Sequence, residues 1–198
     1  MSLFADEAAP PGRPYWWDDG APMPDLPNHP PARADLVIVG AGFTGLSAAI
    51  AAAKEGASVC VIDSGIPGQG ASTRNGGMFG AHPRLSLDQM TARFGADTAK
   101  NVLKDSAAAF HATMDLIEDE DIDCDLQITG RLQLAWTKAD FAAQQKMVAD
   151  MTIAAGLQMS VLDREAIRAE ISTDRYFGGI LFPGHAAVHP RKFHDGLM

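Results

Sequence analysis

The segment that most restricts the fold is residues 35–63, where an apolar run, three spaced glycines, an alanine-rich stretch and a second apolar run follow one another. Asp35-Leu36-Val37-Ile38-Val39 is short and β-branched and ends at a glycine, the composition of a strand buried in a parallel sheet. Residues 45–55 are rich in alanine and stop at Gly56, which predicts a helix with a glycine end. Residues 57–63 predict a second buried strand. Strand, helix and strand in about thirty residues make one βαβ unit.

The turn between the first strand and the helix is Gly40-Ala41-Gly42-Phe43-Thr44-Gly45, a GxGxxG. Gly40 permits the tight turn, Gly42 lets backbone approach a pyrophosphate, and Gly45 lets helix and strand pack closely. The helix N-terminus then presents unpaired N–H groups and about half a positive charge to that diphosphate. Asp63 closes the second strand eighteen positions after Gly45, with Ser64 beside it, where a carboxylate accepts hydrogen bonds from a ribose diol. Such charge-assisted bonds contribute about 1.5–3 kcal/mol. The pattern predicts a dinucleotide site. It does not separate FAD from NAD, since both carry a diphosphate and an adenosine ribose.

The following loop bears on that choice. Residues 65–80 hold six glycines, and Gly70-Ala71-Ser72-Thr73-Arg74-Asn75-Gly76-Gly77-Met78 offers backbone N–H groups, hydroxyls and one Arg, suited to a second wall around a long dinucleotide. A plain surface loop has the same composition. Two other functions therefore stay open: an NAD(P)-dependent dehydrogenase in which this loop is incidental, and a non-catalytic dinucleotide-binding module.

Composition narrows the partners. A net charge of −9 and a pI near 5.0 leave no overall basic surface for a nucleic-acid backbone or an anionic leaflet. Cys60 and Cys124 lack the neighbours of a zinc site or disulfide framework, and Cys60 sits in an apolar run that predicts a buried thiol. Residues 36–53 are 18 uncharged residues, but they contain the three glycines and lack aromatic anchors and a basic flank, so no membrane span is expected. Asp6 and Glu7 stand where a secretory signal carries positive charge. A cytoplasmic location is expected.

Elsewhere, residues 1–34 form a proline-rich arm whose Trp16-Trp17 pair is expected to pack on the body or a partner. Ser86-Leu87-Asp88-Gln89 is a capping box, and Val102, Leu103, Ala107, Phe110, Met114 and Ile117 recur at helical spacing as core. Ile128, Leu132, Leu134 and Trp136 share one strand parity. Thr137 and Asp140 open a helix over 138–155, and a shorter helix over 163–171 and a strand over 179–182 follow. Asp121, Asp123 and Asp125 alternate like calcium ligands, but Leu126 and Leu132 replace the required glycine and glutamate, so a solvated helix end is expected. His185, His189 and His194 read as turn and cap residues, because Ala186 and Pro190 break a zinc-binding helix pattern. No metal is expected.

Residues 35–63 together with residues 70–78 resemble the D-amino acid oxidase-like FAD-dependent oxidoreductases, a group that includes glycine, sarcosine and γ-glutamylputrescine oxidases. Tyr15-Trp16-Trp17, Gly130-Arg131-Leu132 and residues 177–193 are weaker points of similarity. The resemblance implies an α/β fold, with a Rossmann-type FAD-binding domain interleaved with an α+β substrate domain and the C-terminal half missing. The implied layout is an arm over 1–34, the first part of the FAD domain over 35–120, substrate-domain elements over 121–182, and a return to the FAD domain over 183–198. By the same resemblance Gly40, Gly42, Gly45 and Asp63 hold the ADP half of FAD, while Ser72, Thr73, Asn75, Gly77 and Met78 line the flavin half. Asp63 stands where many members have Glu. The implied reaction oxidises the C–N bond of a small amine or amino acid, with oxygen or another acceptor receiving the electrons and no catalytic residue assignable. Pro190 starts a helix that Asp195-Gly196-Leu197-Met198 does not finish, so residues 1–198 alone are expected to hold FAD poorly.

Overall fold

A computed structural model describes residues 14–19, 26 and 29–198. Most of the expected arm lies outside the described residues. The chain divides into two compact units: residues 1–77, 117–125 and 188–198 form the first, and residues 78–116 and 126–187 the second. These divisions fall at different points from the expected boundaries at 120 and 182. The chain leaves the first unit after Gly77, returns to it over residues 117–125 and returns again at Val188.

In the first unit β1 (Leu36–Val39) and β2 (Val59–Ile62) pair in parallel, with α1 (Phe43–Lys54) as the crossover between them. The helix starts two residues before the expected position, because Gly42 already serves as its N-cap. Both strands are shorter than expected, and neither is buried: Val37 is 55% exposed and Val39 81%. Two strands with one crossover helix leave a sheet face uncovered among the described residues, so the expectation of buried strands fails. Cys60 is accordingly half-buried rather than buried.

Within the acidic stretch, residues 121–125 follow strand-like parity beyond a helix that ends at Asp119. Ile122 and Cys124 are buried while Asp121, Asp123 and Asp125 face outward, and Asp121 and Asp125 adopt positive φ. The segment is therefore an anchored turn rather than a wholly solvated helix end. Its Cys124 carbonyl accepts from the His189 N–H at 2.7 Å, and Asp125 pairs with Lys192 at 2.7 Å. The pairing ties the turn to α6 (Pro190–Leu197), which is capped by the His189 ring and begins at proline.

The second unit holds two antiparallel sheets. One pairs β3 (Met78–Gly80) with β7 (His185–Ala187), and the other has the order β4 (Arg131–Leu134), β6 (Gly179–Phe182), β5 (Ser160–Leu162). Its helices are α2 (Leu87–Phe94), most of α3 (Ala96–Asp119), α4 (Lys138–Ala155) and α5 (Arg164–Glu170). The reciprocal capping boxes Ser86/Gln89 and Thr137/Asp140 both form, and Gly156 ends α4 in the left-handed region that favours glycine. Met90, Ala99, Leu103, Met151 and Leu157 form the core. Truncating fully buried Leu103 to alanine would cost roughly 2–5 kcal/mol. Ile128 and Trp136, expected on the strand with Leu132 and Leu134, lie outside β4 and are exposed, while Ala135 takes the buried place.

Candidate cofactor site

The site grows from the β1–α1 turn. Gly40 has φ +107°, a conformation L side chains rarely adopt, so only glycine sits there without strain. A Cβ on Gly45 would lie 2.0 Å from the Gly40 carbonyl oxygen, which makes that glycine obligatory for helix–strand packing. The Leu46 N–H makes the first intrahelical bond, to the Gly42 carbonyl at 2.9 Å. The N–H groups of Thr44 and Gly45 therefore belong to the helix's unpaired first turn. Gly40, Gly42, Phe43, Thr44, Gly45 and Ser72, together with Ile38, Val39 and Ala48, line a cavity of about 380 Å³.

Gly42 also serves a contact beyond the expected approach to a pyrophosphate. A Cβ there would meet the Ser72 hydroxyl at 2.8 Å, so its missing side chain is what admits Ser72. The Ser72 hydroxyl accepts from the Phe43 N–H at 3.0 Å, capping the first turn from a loop 29 residues away. This contact joins the glycine turn to the loop over 70–78.

Asp63 also turns toward the glycine turn. One carboxylate oxygen accepts from the Ala41 N–H at 2.8 Å and the other from the Gly65 N–H at 3.0 Å. The bond from Ala41, then that from Gly65, holds the carboxyl below its usual range. Aspartate's short arm suits this contact. A carboxylate has about four lone-pair sites, so not all are taken by the protein and capacity remains for a ribose hydroxyl. Ser64 follows at the exposed end of the same turn.

The second loop is braced from within. Residues Ala71–Thr73 form one 3-10 turn, preceded by Gly70. Thr73 is fully buried, donates to the Gly68 carbonyl at 2.7 Å and accepts from the Trp17 indole at 2.6 Å. The Asn75 amide donates to the carbonyls of Ser72 at 2.8 Å and Ala71 at 3.2 Å, and its oxygen accepts from the Gly77 N–H at 2.8 Å. Arg74 donates to the Gln69 carbonyl at 2.7 Å. Gly76 passes the chain to Gly77, whose φ is +73° and whose added Cβ would lie 2.3 Å from the Val188 carbonyl. Met78 begins β3 and is 75% exposed.

Of two further contributions, the sequence signals the first only as packing on the body and the second not at all. The Trp16 indole donates to the Asn75 carbonyl at 2.7 Å, so both tryptophans fasten the second loop, as the expectation that they pack on the body required. His194 is fully buried and its Nε2–H donates to the Ala41 carbonyl at 2.7 Å, while its Nδ1 is buried without a hydrogen-bond partner. A Cβ on Gly68 would strike the His194 ring at 2.8 Å. Nothing in the sequence separates His194 from His189, which caps α6 as expected of a cap histidine.

The donors and spaces fit a dinucleotide: a glycine turn under a cavity, a helix N-terminus, a carboxylate with lone pairs left, and a second loop fixed beside them. No helix among the described residues is long and apolar enough to cross a membrane.

Comparison with known proteins gives the same reading. The γ-glutamylputrescine oxidoreductase of Escherichia coli is 31% identical over 162 residues, covering 82% of this chain and 38% of that protein. A probable oxidoreductase OrdL of Rhizobium meliloti is 31% identical, covering 92% and 43%. The chain thus spans about two fifths of the length of these relatives. Among solved structures, glycine oxidase from Geobacillus kaustophilus superposes with a TM-score of 0.63 at 22% identity, covering 83% of this chain and 43% of that one. L-amino acid deaminase from Proteus myxofaciens reaches 0.74 at 15% identity, covering 90% and 38%. Both likenesses show the fold. Residues 35–198 match the DAO family, described as FAD dependent oxidoreductase, and the chain belongs to that family of flavoprotein oxidoreductases, with FAD as its cofactor.

Proposed function

We propose that this chain is part of an enzyme that oxidises the C–N bond of a small amine or amino acid. The observation that carries the reading is the Ser72–Phe43 contact, which joins a dinucleotide turn to the family's second loop in one cradle. When bound, FAD would supply the acceptor for the hydride of the donor carbon, and water would hydrolyse the iminium left behind to a carbonyl compound and ammonia or an amine. The first compact unit is the flavin-binding part, and the second is the substrate part.

Gly40, Ala41, Gly42, Phe43, Thr44 and Gly45 bring backbone to the diphosphate, with the first-turn N–H groups of Thr44 and Gly45 as donors. Asp63 takes the ribose diol while orienting the Ala41 peptide, and Ser64 and Gly70 border the same approach. Ser72, Asn75, Gly76, Gly77 and Met78 belong to the flavin half, with Ala71 and Arg74 shaping that loop. Thr73 acts through the loop, since its hydroxyl is engaged by Trp17 and Gly68. Oxygen or another acceptor removes the electrons afterwards. A cytoplasmic setting follows from the sequence reading.

An absorption spectrum of the purified full-length protein, before and after anaerobic addition of candidate amines and amino acids, tests the reading. Oxidised-flavin bands that bleach with a donor are expected. A protein that binds nicotinamide dinucleotide and carries no flavin, or a flavin that no amine reduces, would sink it.

A further inference from the structure

The second unit contains a cluster of basic side chains that the flavin site does not use. His82 lies flat on the Phe182 ring, with centroids 4.1 Å apart and planes 19° apart, and the Arg131 guanidinium carbon sits 4.5 Å from the same ring. Arg131 Nη2 donates to His82 Nε2 at 2.7 Å and to Gln133 Oε1 at 2.9 Å, and His82 Nδ1 is 2.8 Å from His185 Nε2. Gly80 makes room for this arrangement, because a Cβ there would lie 2.1 Å from the His185 ring.

Protonation in this chain follows from its first member. Arginine only donates, so His82 Nε2 must accept and His82 carries its proton on Nδ1. That proton is given to His185 Nε2, which leaves His185 with its own proton on Nδ1. Burial, then the neighbouring Arg131 and His185, pushes the His82 pKa down to about 4, consistent with a neutral ring. His185 Nδ1 has no protein partner and, unlike the Nε of Arg131, is not sealed from solvent. The chain therefore ends in a single donor, polarised by a guanidinium two links away.

The cluster lacks its counter-charge. Among the described residues no carboxylate pairs with Arg131 or with Arg84, the cation that joins burial in lowering the Arg131 pKa. Arg131 Nε is buried with no partner. Beside the cluster lies a cavity of about 440 Å³, whose polar lining is His82, His111, Gln158 and His185 and whose other walls are apolar groups such as Phe110, Leu157, Met159 and Phe182. A half-buried cation and an outward donor beside an apolar hollow fit an anion with an apolar body.

We propose that this cavity binds a small organic carboxylate, whose oxygen accepts from His185 Nδ1–H while its apolar body fills the hollow. His185 is the contact residue. Arg131 and His82 are positioning residues, which fix the tautomer that makes His185 a donor. The same carboxylate chemistry belongs to an amino acid or to a separate acid ligand.

Calorimetric titration of the intact flavoprotein with 4-methylpentanoate and with the neutral 4-methylpentanamide tests the site without any substitution. The acid should bind more tightly than the amide by about tenfold or more, the difference expected when a hydrogen bond gains a charged partner. Long-range ¹⁵N–¹H spectra should place the His185 proton on Nδ1. In Arg131→Met that proton should redistribute between the two ring nitrogens, and acid affinity should fall by about tenfold although Arg131 does not contact the acid. Equal binding of acid and amide, binding of neither, or unchanged affinity and tautomer in Arg131→Met would each overturn the proposal. A further arm rests on the proposed amine oxidation and separates the sources. Competition by 4-methylpentanoate against the donor that bleaches the flavin fastest assigns the site to the substrate carboxylate, and binding without competition assigns it to a separate acid.

Discussion

Removing the carboxylate of Asp63 should weaken FAD binding by two routes at once. In its proposed role the side chain offers lone pairs to the ribose, and it also fixes the Ala41 peptide through a 2.8 Å bond and the Gly65 N–H through a 3.0 Å bond. A charge-assisted hydrogen bond contributes about 1.5–3 kcal/mol, and the exposure of this carboxylate reduces the two protein bonds to roughly 1–2 kcal/mol together. Asp63→Asn keeps one acceptor oxygen and should lose about half of that, whereas Asp63→Ala loses all of it. With the ribose contact added, Asp63→Ala should raise the FAD dissociation constant about tenfold to a hundredfold. Because the folded pKa of Asp63 is depressed, its contribution is complete above the unfolded pKa of about 3.9 and disappears as pH falls through the folded value. Wild-type protein should therefore lose this increment of stability below about pH 4, and Asp63→Asn should not. Flavin fluorescence on titration gives the dissociation constant, and amide exchange at Ala41 and Gly65 reports the protein bonds. An unchanged dissociation constant with unchanged exchange in Asp63→Ala would refute both roles.

Gly42→Val should expel the Ser72 hydroxyl from the first turn of α1 and lower flavin content, while circular dichroism stays near wild type; full flavin retention would count against the cradle. Trp17→Phe deletes the indole donor to buried Thr73, and the loss should be about 1 kcal/mol in denaturant unfolding together with faster proteolysis near residues 70–77. In His194→Gln the amide nitrogen can replace Nε2 as donor to Ala41, so flavin affinity should stay closer to wild type than in His194→Phe; equal affinities would show that the Ala41 contact is irrelevant. Gly45→Leu should fail to give soluble protein, since its Cβ would overlap the Gly40 carbonyl, and a normally folded variant would contradict the packing geometry.

The parts of this molecule legible in the sequence are those fixed by local chemistry. The capping residues of α2 and α4, the glycine turn and the β1–α1–β2 order follow from neighbours within a few positions. The short strands β3, β5 and β7 were not legible, because three residues carry no periodicity and their pairing is set by distant partners. Burial of β1 was misjudged because composition reports what a strand can pack against, not what covers it. At the candidate cofactor site the glycine turn and the second loop are readable in the sequence, and the connections between them are not. Ser72 as a cap for Phe43, Asp63 as a brace for Ala41 and His194 as a partner of the same peptide span 29, 22 and 153 residues.

The Ala41 peptide is gripped at both ends, its N–H by Asp63 and its carbonyl by His194. That fact sets an order of events when the chain is made. The glycine turn, the crossover helix and Asp63 emerge close together, so the βαβ unit can assemble early. The second grip comes from a residue 153 positions beyond Ala41, and at about 5–20 residues per second it follows that residue by roughly eight to thirty seconds. Until α6 arrives the nascent turn is held on one side only, and a cofactor that meets it then finds a loop not yet in its final shape. Flavin capture is in this way tied to the synthesis of a helix far downstream of the motif that announces it.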